Sequence, residues 1–336
     1  MTLHLFFEEP DPDRRVPFDR YPRRLLRRLV RGPRQPGGHR RVFLNLCAGL
    51  SRLGVAYEVN NHALFKSSQP EIACVIGQPI ALSRFDADVP IVFGSAVYSH
   101  PIDAPDLLKR YNLPAILVPC DWMRRMVAPA WGDRVKVWPV GIDTDTWSPS
   151  DRAKKDIDIL IYDKILWNRD ALVPGVLAPI IEHLDAKQLR TVVLSYGRYR
   201  EQYFRHLVSR SRAMIYLCEH ETQGIALQQA LAASLPVFAW DRGGEWRDPS
   251  YFPDRVRFGP VTTVPYWDAR CGATFGNIEA FRREFSDFWH TATQGAFAPR
   301  SYILEHFTLS RGAQRYLDII QSVRTQLSES RLAARR

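Results

Sequence analysis

Short apolar runs recur along this chain, separated by longer stretches whose apolar residues fall every three or four positions. In the first half the runs are Leu3–Phe7, Ala56–Val59, Ile72–Ile76, Ile91–Phe93 and Ala115–Val118. Each is too short for a helix and predicts a buried strand. Gln35-Pro36-Gly37-Gly38-His39 predicts a turn. Arg40 to Leu53 predicts a helix, with Val42, Leu46 and Leu50 on one stripe and Gly54 as its stop. A second series opens with a strand at Ile157–Tyr162, a helix at Ala171–Leu184, a strand at Thr191–Ser195 and a helix at Glu201–Ser209. Two further runs, Ala213–Cys218 and Pro236–Trp240, flank a Gly-bearing turn and a helix. Residues 300–328 predict a final helical stretch, with stripes from Tyr302-Ile303-Leu304 and Tyr316-Leu317-Asp318-Ile319-Ile320. Strand–helix alternation implies parallel sheets covered by helices.

The 336 residues leave room for two domains of about 150 each. No run of 18 apolar residues predicts a transmembrane helix. The N-terminus lacks the basic start of a signal peptide and reads as a first strand. Cys47, Cys74, Cys120, Cys218 and Cys271 are scattered, which argues against a zinc site or a disulfide framework and suits a reducing cytoplasm. The net charge of +10 is uneven: eleven Arg and five acids in residues 1–41 place +6 of it there. Arg23-Arg24-Leu25-Leu26-Arg27-Arg28-Leu29-Val30-Arg31 sets leucines at helical spacing among paired arginines. Such a segment suits an anionic membrane surface, a nucleic acid or simply a solvated helix face.

The densest chemistry lies in Glu221-Thr222-Gln223-Gly224-Ile225-Ala226-Leu227-Gln228-Gln229-Ala230, followed by Leu235-Pro236-Val237. A Gly turn that opens a helix presents backbone N–H groups suited to a phosphate. A carboxylate just ahead of it is placed to accept from sugar hydroxyls. This stretch resembles the signature of the retaining glycosyltransferases of the family 4 type. That signature has Glu, Gly three positions on, a second Glu, Ala, and a Pro-Val strand. Glu221, Gly224, Ala230, Pro236 and Val237 fit. Gln229 replaces the second Glu, and Ser234 stands where Gly is usual. A second match is Val135-Lys136-Val137-Trp138-Pro139-Val140-Gly141-Ile142-Asp143 with Thr146-Trp147-Ser148-Pro149, which is similar to the interdomain connection of these enzymes. A third is Lys164 and Arg169, the two basic types in swapped order, just after a strand.

The resemblance implies two Rossmann-like domains facing across a cleft, the GT-B fold. Residues 1–150 would bind acceptor and 151–300 donor. Residues 301–336 would form a helical segment packing back on the first domain. It implies transfer of a sugar from a nucleotide-diphosphate sugar to a glycolipid or surface-polysaccharide acceptor, with retention at the anomeric carbon. Lys164 and Arg169 would hold the diphosphate, and the Gly224 and Ile225 amides would complete that cradle. Glu221 would orient the sugar, Glu219 and Gln223 would share donor binding, and Gln229 would meet the ribose. Gly37 and Gly38 would let donor or acceptor approach the backbone. His100, four residues after Ala96, would reach the donor sugar. Asp241-Arg242-Gly243-Gly244-Glu245 shortens a family loop in which Glu follows Gly-Gly two residues later, and no family role attaches to Pro265–Gly272.

Plainer readings stand beside these: a solvated turn for Lys164 and Arg169, a loop glycine pair, a helix-dipole carboxylate for Glu221, a packed His100. Transfer is expected to need no metal and no cofactor besides the donor, with protein cations and helix amides in the ion's place. No Walker loop or G-x-G-x-x-G occurs, which disfavours an ATPase or NAD enzyme. Nucleic-acid binding is disfavoured too, because no aromatic platforms interleave the basic excess. The expected location is cytoplasmic, peripheral on the membrane face through residues 14–41. An inactive sugar-nucleotide-binding scaffold of the same fold is the alternative, suggested by Gln229 and Ser234.

Overall fold

The computed structural model describes residues 2–9, 37–68, 71–95, 97–150 and 154–333, with Pro22 and Leu26 singly. The arginine-rich stretch 23–31 therefore lies outside the described residues apart from Leu26, and so does Ala96. The chain forms two compact units. One takes the described residues of Met1–Val118, Val127–Trp138 and Ala313–Arg336, and the other Pro119–Met126 and Pro139–Gly312. The last crossing between the units before the second sheet falls at Trp138–Pro139. The closing helix Leu309–Ala333 lies mainly in the first unit's residues.

The first unit carries six strands: β1 (Leu3–Phe6), β2 (Tyr57–Val59), β3 (Ala73–Ile76), β4 (Ile91–Gly94), β5 (Ala115–Val118) and β6 (Val135–Val137). They pair in the order β2-β1-β3-β4-β5-β6, every neighbour parallel. The second carries β7 (Ile157–Lys164), β8 (Thr191–Ser195), β9 (Ser211–Cys218), β10 (Val237–Trp240) and β11 (Gly272–Phe275). Their order is β11-β10-β9-β7-β8, again all parallel.

The near-continuous apolar strands follow from burial on both faces. Along β7, Leu160 and Tyr162 enter one core with Met214, Tyr216 and Val237. Ile159 and Ile161 enter the other with Ile215, Phe238 and Phe285. This is the two-residue period of a pleated strand splitting one run between two layers. The expected helix at Ala171–Leu184 is real but interrupted: Arg169–Leu172, a π turn at Val173–Leu177, then Ala178–Ala186. Pro174 and Pro179 lack the N–H an unbroken α ladder needs, which favours the wider turn. Beyond the sequence reading lie β11 and the helix Ile278–Thr293, capped by the Asn277 side chain on the Ala280 amide at 2.9 Å. Its Phe281, Phe285 and Phe288 fill the second core.

Candidate functional site

Within the second unit, β8 extends the sheet to one side of β7, while β9 and β10 extend it to the other. The connections therefore diverge at the carboxyl ends of β7 and β9, where open parallel sheets bind ligands. Lys164 ends β7 opposite Cys218, which ends β9. The chain after β9 then runs Glu219, His220, Glu221.

Lys164 Nζ donates to Glu221 Oε2 in a close ion pair. The pair is screened from water: the Glu221 side chain is 8% exposed and that of Lys164 16%. Tyr216 Oη donates to the same Oε2 at 2.7 Å, and the Thr222 amide to Oε1 at 3.0 Å. The backbone is fixed as well, by Glu221 N to Thr262 O at 2.9 Å and Trp122 Nε1 to Glu221 O at 2.8 Å. Burial would push the Glu221 carboxyl up, but Lys164, with the Tyr216 hydroxyl and the Thr222 amide, outweighs it and holds the group ionised. Burial would likewise push Lys164 down, and the Glu221 charge reverses that. Burial and the same charge raise Tyr216, so it stays a donor.

Gly224 adopts φ +61, the left-handed turn that L side chains rarely enter, and opens the helix Ile225–Ala232. No side chain caps that helix, and its first turn carries no acid. The Gly224 and Ile225 amides thus lie at a positive helix end beside Lys164's partner.

Several expected ligands have internal duties instead. Arg169 forks onto the buried Asp163, Nη1 to Oδ1 at 3.0 Å and Nη2 to Oδ2 at 2.8 Å, and also reaches Ile165 O at 2.6 Å. The bidentate fork uses its planar donors on a carboxylate that would otherwise be buried unpaired, so a phosphate would compete with Asp163 for Arg169. Glu219 accepts from the Leu166 and Trp167 amides at 3.0 and 2.8 Å, tying the turn after β7 to the end of β9. Gln223 receives the Val140 amide at 3.2 Å and donates to Gln228 at 3.2 Å, so its amide is engaged at both ends. Gln229 is buried in the helix, where a neutral amide costs less to desolvate than a carboxylate.

Gly37, Gly38 and His100 belong to the first unit. Gly37 caps and Gly38 begins the helix Gly38–Arg52, and a Cβ on either would meet nothing within 4 Å. His100 Nδ1 accepts from the Ile102 amide at 3.2 Å, a local turn cap. The same unit holds a cavity of about 330 Å³ lined by Phe6, Phe7, Glu8, Asn60, His62, Ala81 and Arg84.

His220 and its ring neighbours have no assigned part in the sequence reading. The His220 ring packs on Trp167 at 4.9 Å and Trp122 at 5.4 Å between centroids, and receives Trp246 Nε1 at 3.2 Å. Burial lowers its pKa to about 4, with the Lys164 and Arg242 charges adding to that and Glu221 opposing it. His220 is therefore neutral at physiological pH. The segment Pro265–Gly272 packs the unit: Tyr266 Oη donates to Pro119 O, and Arg270 bridges Asp268 and Glu305. Glu245 pairs with Arg257 at 3.5 Å. Among the described residues no group of three or more His, Cys, Asp and Glu is arranged to hold a metal ion. None of their helices is long and apolar enough to cross a membrane.

No family model matches the chain, and no curated protein matches it in sequence. Its structure does match known ones. The lipopolysaccharide outer core galactosyltransferase WaaB, in its apo form, superposes with TM-score 0.52 at 12% identity, over 96% of this chain and 99% of that one. WaaG, a glycosyltransferase involved in lipopolysaccharide biosynthesis, gives 0.50 at 11% identity, over 95% and 99%. The structure of accessory secretory protein 1, 2 and 3 in Streptococcus pneumoniae gives 0.49 at 13%, and this chain spans only 56% of that chain's length. The chain has the two-domain, Rossmann-like α/β fold of WaaB and WaaG.

Proposed function

We propose that this chain transfers a sugar from a nucleotide-diphosphate sugar to a glycan or glycolipid acceptor, with retention of configuration. The observation that carries this is the Lys164–Glu221 pair at the switch point of the second sheet, beside an uncapped helix N-terminus. A cation, a helix end and a carboxylate there are the three things a sugar diphosphate needs. As the anomeric C–O bond breaks, the departing diphosphate gains negative charge, and Lys164 with the Gly224 and Ile225 amides stabilises it. Glu221 turns to the hydroxyls of the sugar, and Gln229 meets the ribose. The acceptor hydroxyl attacks the same face and passes its proton to the departing phosphate oxygen, so the protein needs no strong base of its own. We assign no cofactor beyond the donor and no metal.

A thermal-shift panel with UDP, GDP, ADP, CDP and their sugar conjugates tests this reading. A ligand at a hundred times its Kd should add about 2.7 kcal/mol, a shift of several degrees. One base family should stand out, and its conjugate should be turned over. No shift with any of them overturns the donor site. A shift without turnover on any acceptor would favour the inactive scaffold, a reading supported by the mutual neutralisation of Lys164 and Glu221.

The acceptor we infer is a glycolipid or a growing surface polysaccharide, met at the cytoplasmic membrane face. Support comes from the +6 charge of residues 1–41. Full-length protein should float with vesicles containing anionic lipid at low salt and be released as salt rises. Absence of flotation would remove the membrane part.

A further inference from the structure

Arg169 is committed to Asp163, and Lys164 is neutralised by Glu221. One half-buried cation near them has no such partner. Arg242 follows directly after Trp240 and Asp241, at the carboxyl end of β10 beside β9. Its Nε donates to Glu219 O at 3.4 Å and its Nη2 to Glu245 O at 3.4 Å. Both acceptors are neutral carbonyls. Among the described residues, no carboxylate lies within ion-pair distance of it.

The acids around it are occupied. Asp241 accepts from Thr262 Oγ1 at 2.8 Å and the Thr263 amide at 2.9 Å. Asp248 accepts from the Ser250 amide at 2.9 Å, Glu245 pairs with Arg257, and the Glu219 carboxylate is held by the Leu166 and Trp167 amides. A second guanidinium, Arg247, adds like charge, and burial together with Arg247 lowers the Arg242 pKa against the opposing charge of Glu219. Gly243 and Gly244 follow at φ +61 and +75, with open space where a Cβ would stand. A half-buried guanidinium with no ion-pair partner loses part of its hydration and recovers that cost when an anion arrives. The charges of Lys164 and Arg242 both lower the His220 pKa.

We propose that Arg242, backed by Arg247, grips a phosphate of the incoming diphosphate, in the place the sequence assigns to Arg169. The inference rests on the nucleotide-sugar reading. Lys164 then meets the anion from β7, the Gly224 helix end from behind β9, and Arg242 from β10. At Arg242 the anion competes only with two long bonds to neutral carbonyls, whereas at Lys164 it must compete with the Glu221 carboxylate.

Calorimetric titration of the full chain separates the two claims. The probes are inorganic pyrophosphate, the four nucleoside diphosphates and glucuronate. The variants are Arg242→Gln, Arg242→Lys, Arg247→Gln and Arg169→Gln, with the exposed Arg205→Gln as control. Arg242→Gln should weaken pyrophosphate and the cognate diphosphate by about tenfold or more, while Arg242→Lys, keeping charge without the fork, should lose less. Arg247→Gln should weaken them less than Arg242→Gln does, and Arg169→Gln should lower the melting temperature with affinity within about threefold. If pyrophosphate binds through Arg242 but no nucleotide does, the anion site stands and the nucleotide-sugar reading falls. Full affinity in Arg242→Gln with loss in Arg169→Gln leaves the donor reading and overturns this one. Binding of glucuronate without pyrophosphate, or of neither, also overturns it.

Discussion

Lys164→Met should lower the melting temperature of the protein by roughly 10 °C, and Glu221→Gln should act in the same direction. Removing one member of a buried ion pair leaves the other charged in a place that has lost its water, which costs about 3–5 kcal/mol. A unit of this size loses about 2–4 °C for each of those. Tyr216 and the Thr222 amide would still serve the carboxylate, which places Lys164→Met nearer the lower bound. The double variant Lys164→Met, Glu221→Leu removes both charges and should recover most of the loss. Turnover behaves differently: each single variant and the double should fall at least about tenfold, a loss of about 1.4 kcal/mol of transition-state stabilisation. Stability that returns while activity does not would separate the two duties of the pair. The pH dependence has a definite sign. Glu221's pKa is depressed, so its share is present above the unfolded carboxylate range and lost as pH falls. Lys164's is raised, so its share is lost only at strongly alkaline pH. Equal melting temperatures for wild type and both single variants would mean that the pair is not desolvated.

Gly141→Ala should cost about 3 kcal/mol, the upper range for overpacking a closed site. A Cβ there would stand 2.3 Å from Thr308 O and 2.6 Å from Leu309 Cα. Gly312 closes the other side, since its own Cβ would fall 2.4 Å from Gly141 N. The two backbones are fastened by Ile142 N to Phe307 O at 2.7 Å, so neither can retreat without breaking a bond. Gly312→Ala should therefore resemble Gly141→Ala. Gly175→Ala, with nothing within 4 Å, should be neutral or slightly stabilising. Urea midpoints at unchanged slope measure all three. A Gly141→Ala midpoint equal to wild type would show that the crossing is looser than these distances.

Much of this was legible in the residues. Strands at Ala115–Val118 and Thr191–Ser195 have the predicted bounds, and most others shift by one or two residues, because apolar runs between turns leave few alternatives. The helix Ile278–Thr293 was legible too: Asn277 is a good cap, and Phe281, Phe285 and Phe288 repeat at helical spacing. The short β11, Gly272–Phe275, carries no comparable pattern. Gly141 could be seen in the chain as part of a turn, but its reason is a backbone more than 160 residues away. The same holds for charge. That Lys164 and Glu221 each follow an apolar run that predicts a strand is read from the chain alone. That they neutralise each other, that Asp163 claims Arg169, and that Arg242 is left without a carboxylate do not follow. By itself the sequence determined the strands, the Gly224 turn and which charged residues stand at strand ends, because these depend on neighbours along the chain. Only the tertiary structure decided which charge meets which, because Coulomb energy and desolvation depend on distance and depth, and the partners here lie 57 residues apart in sequence.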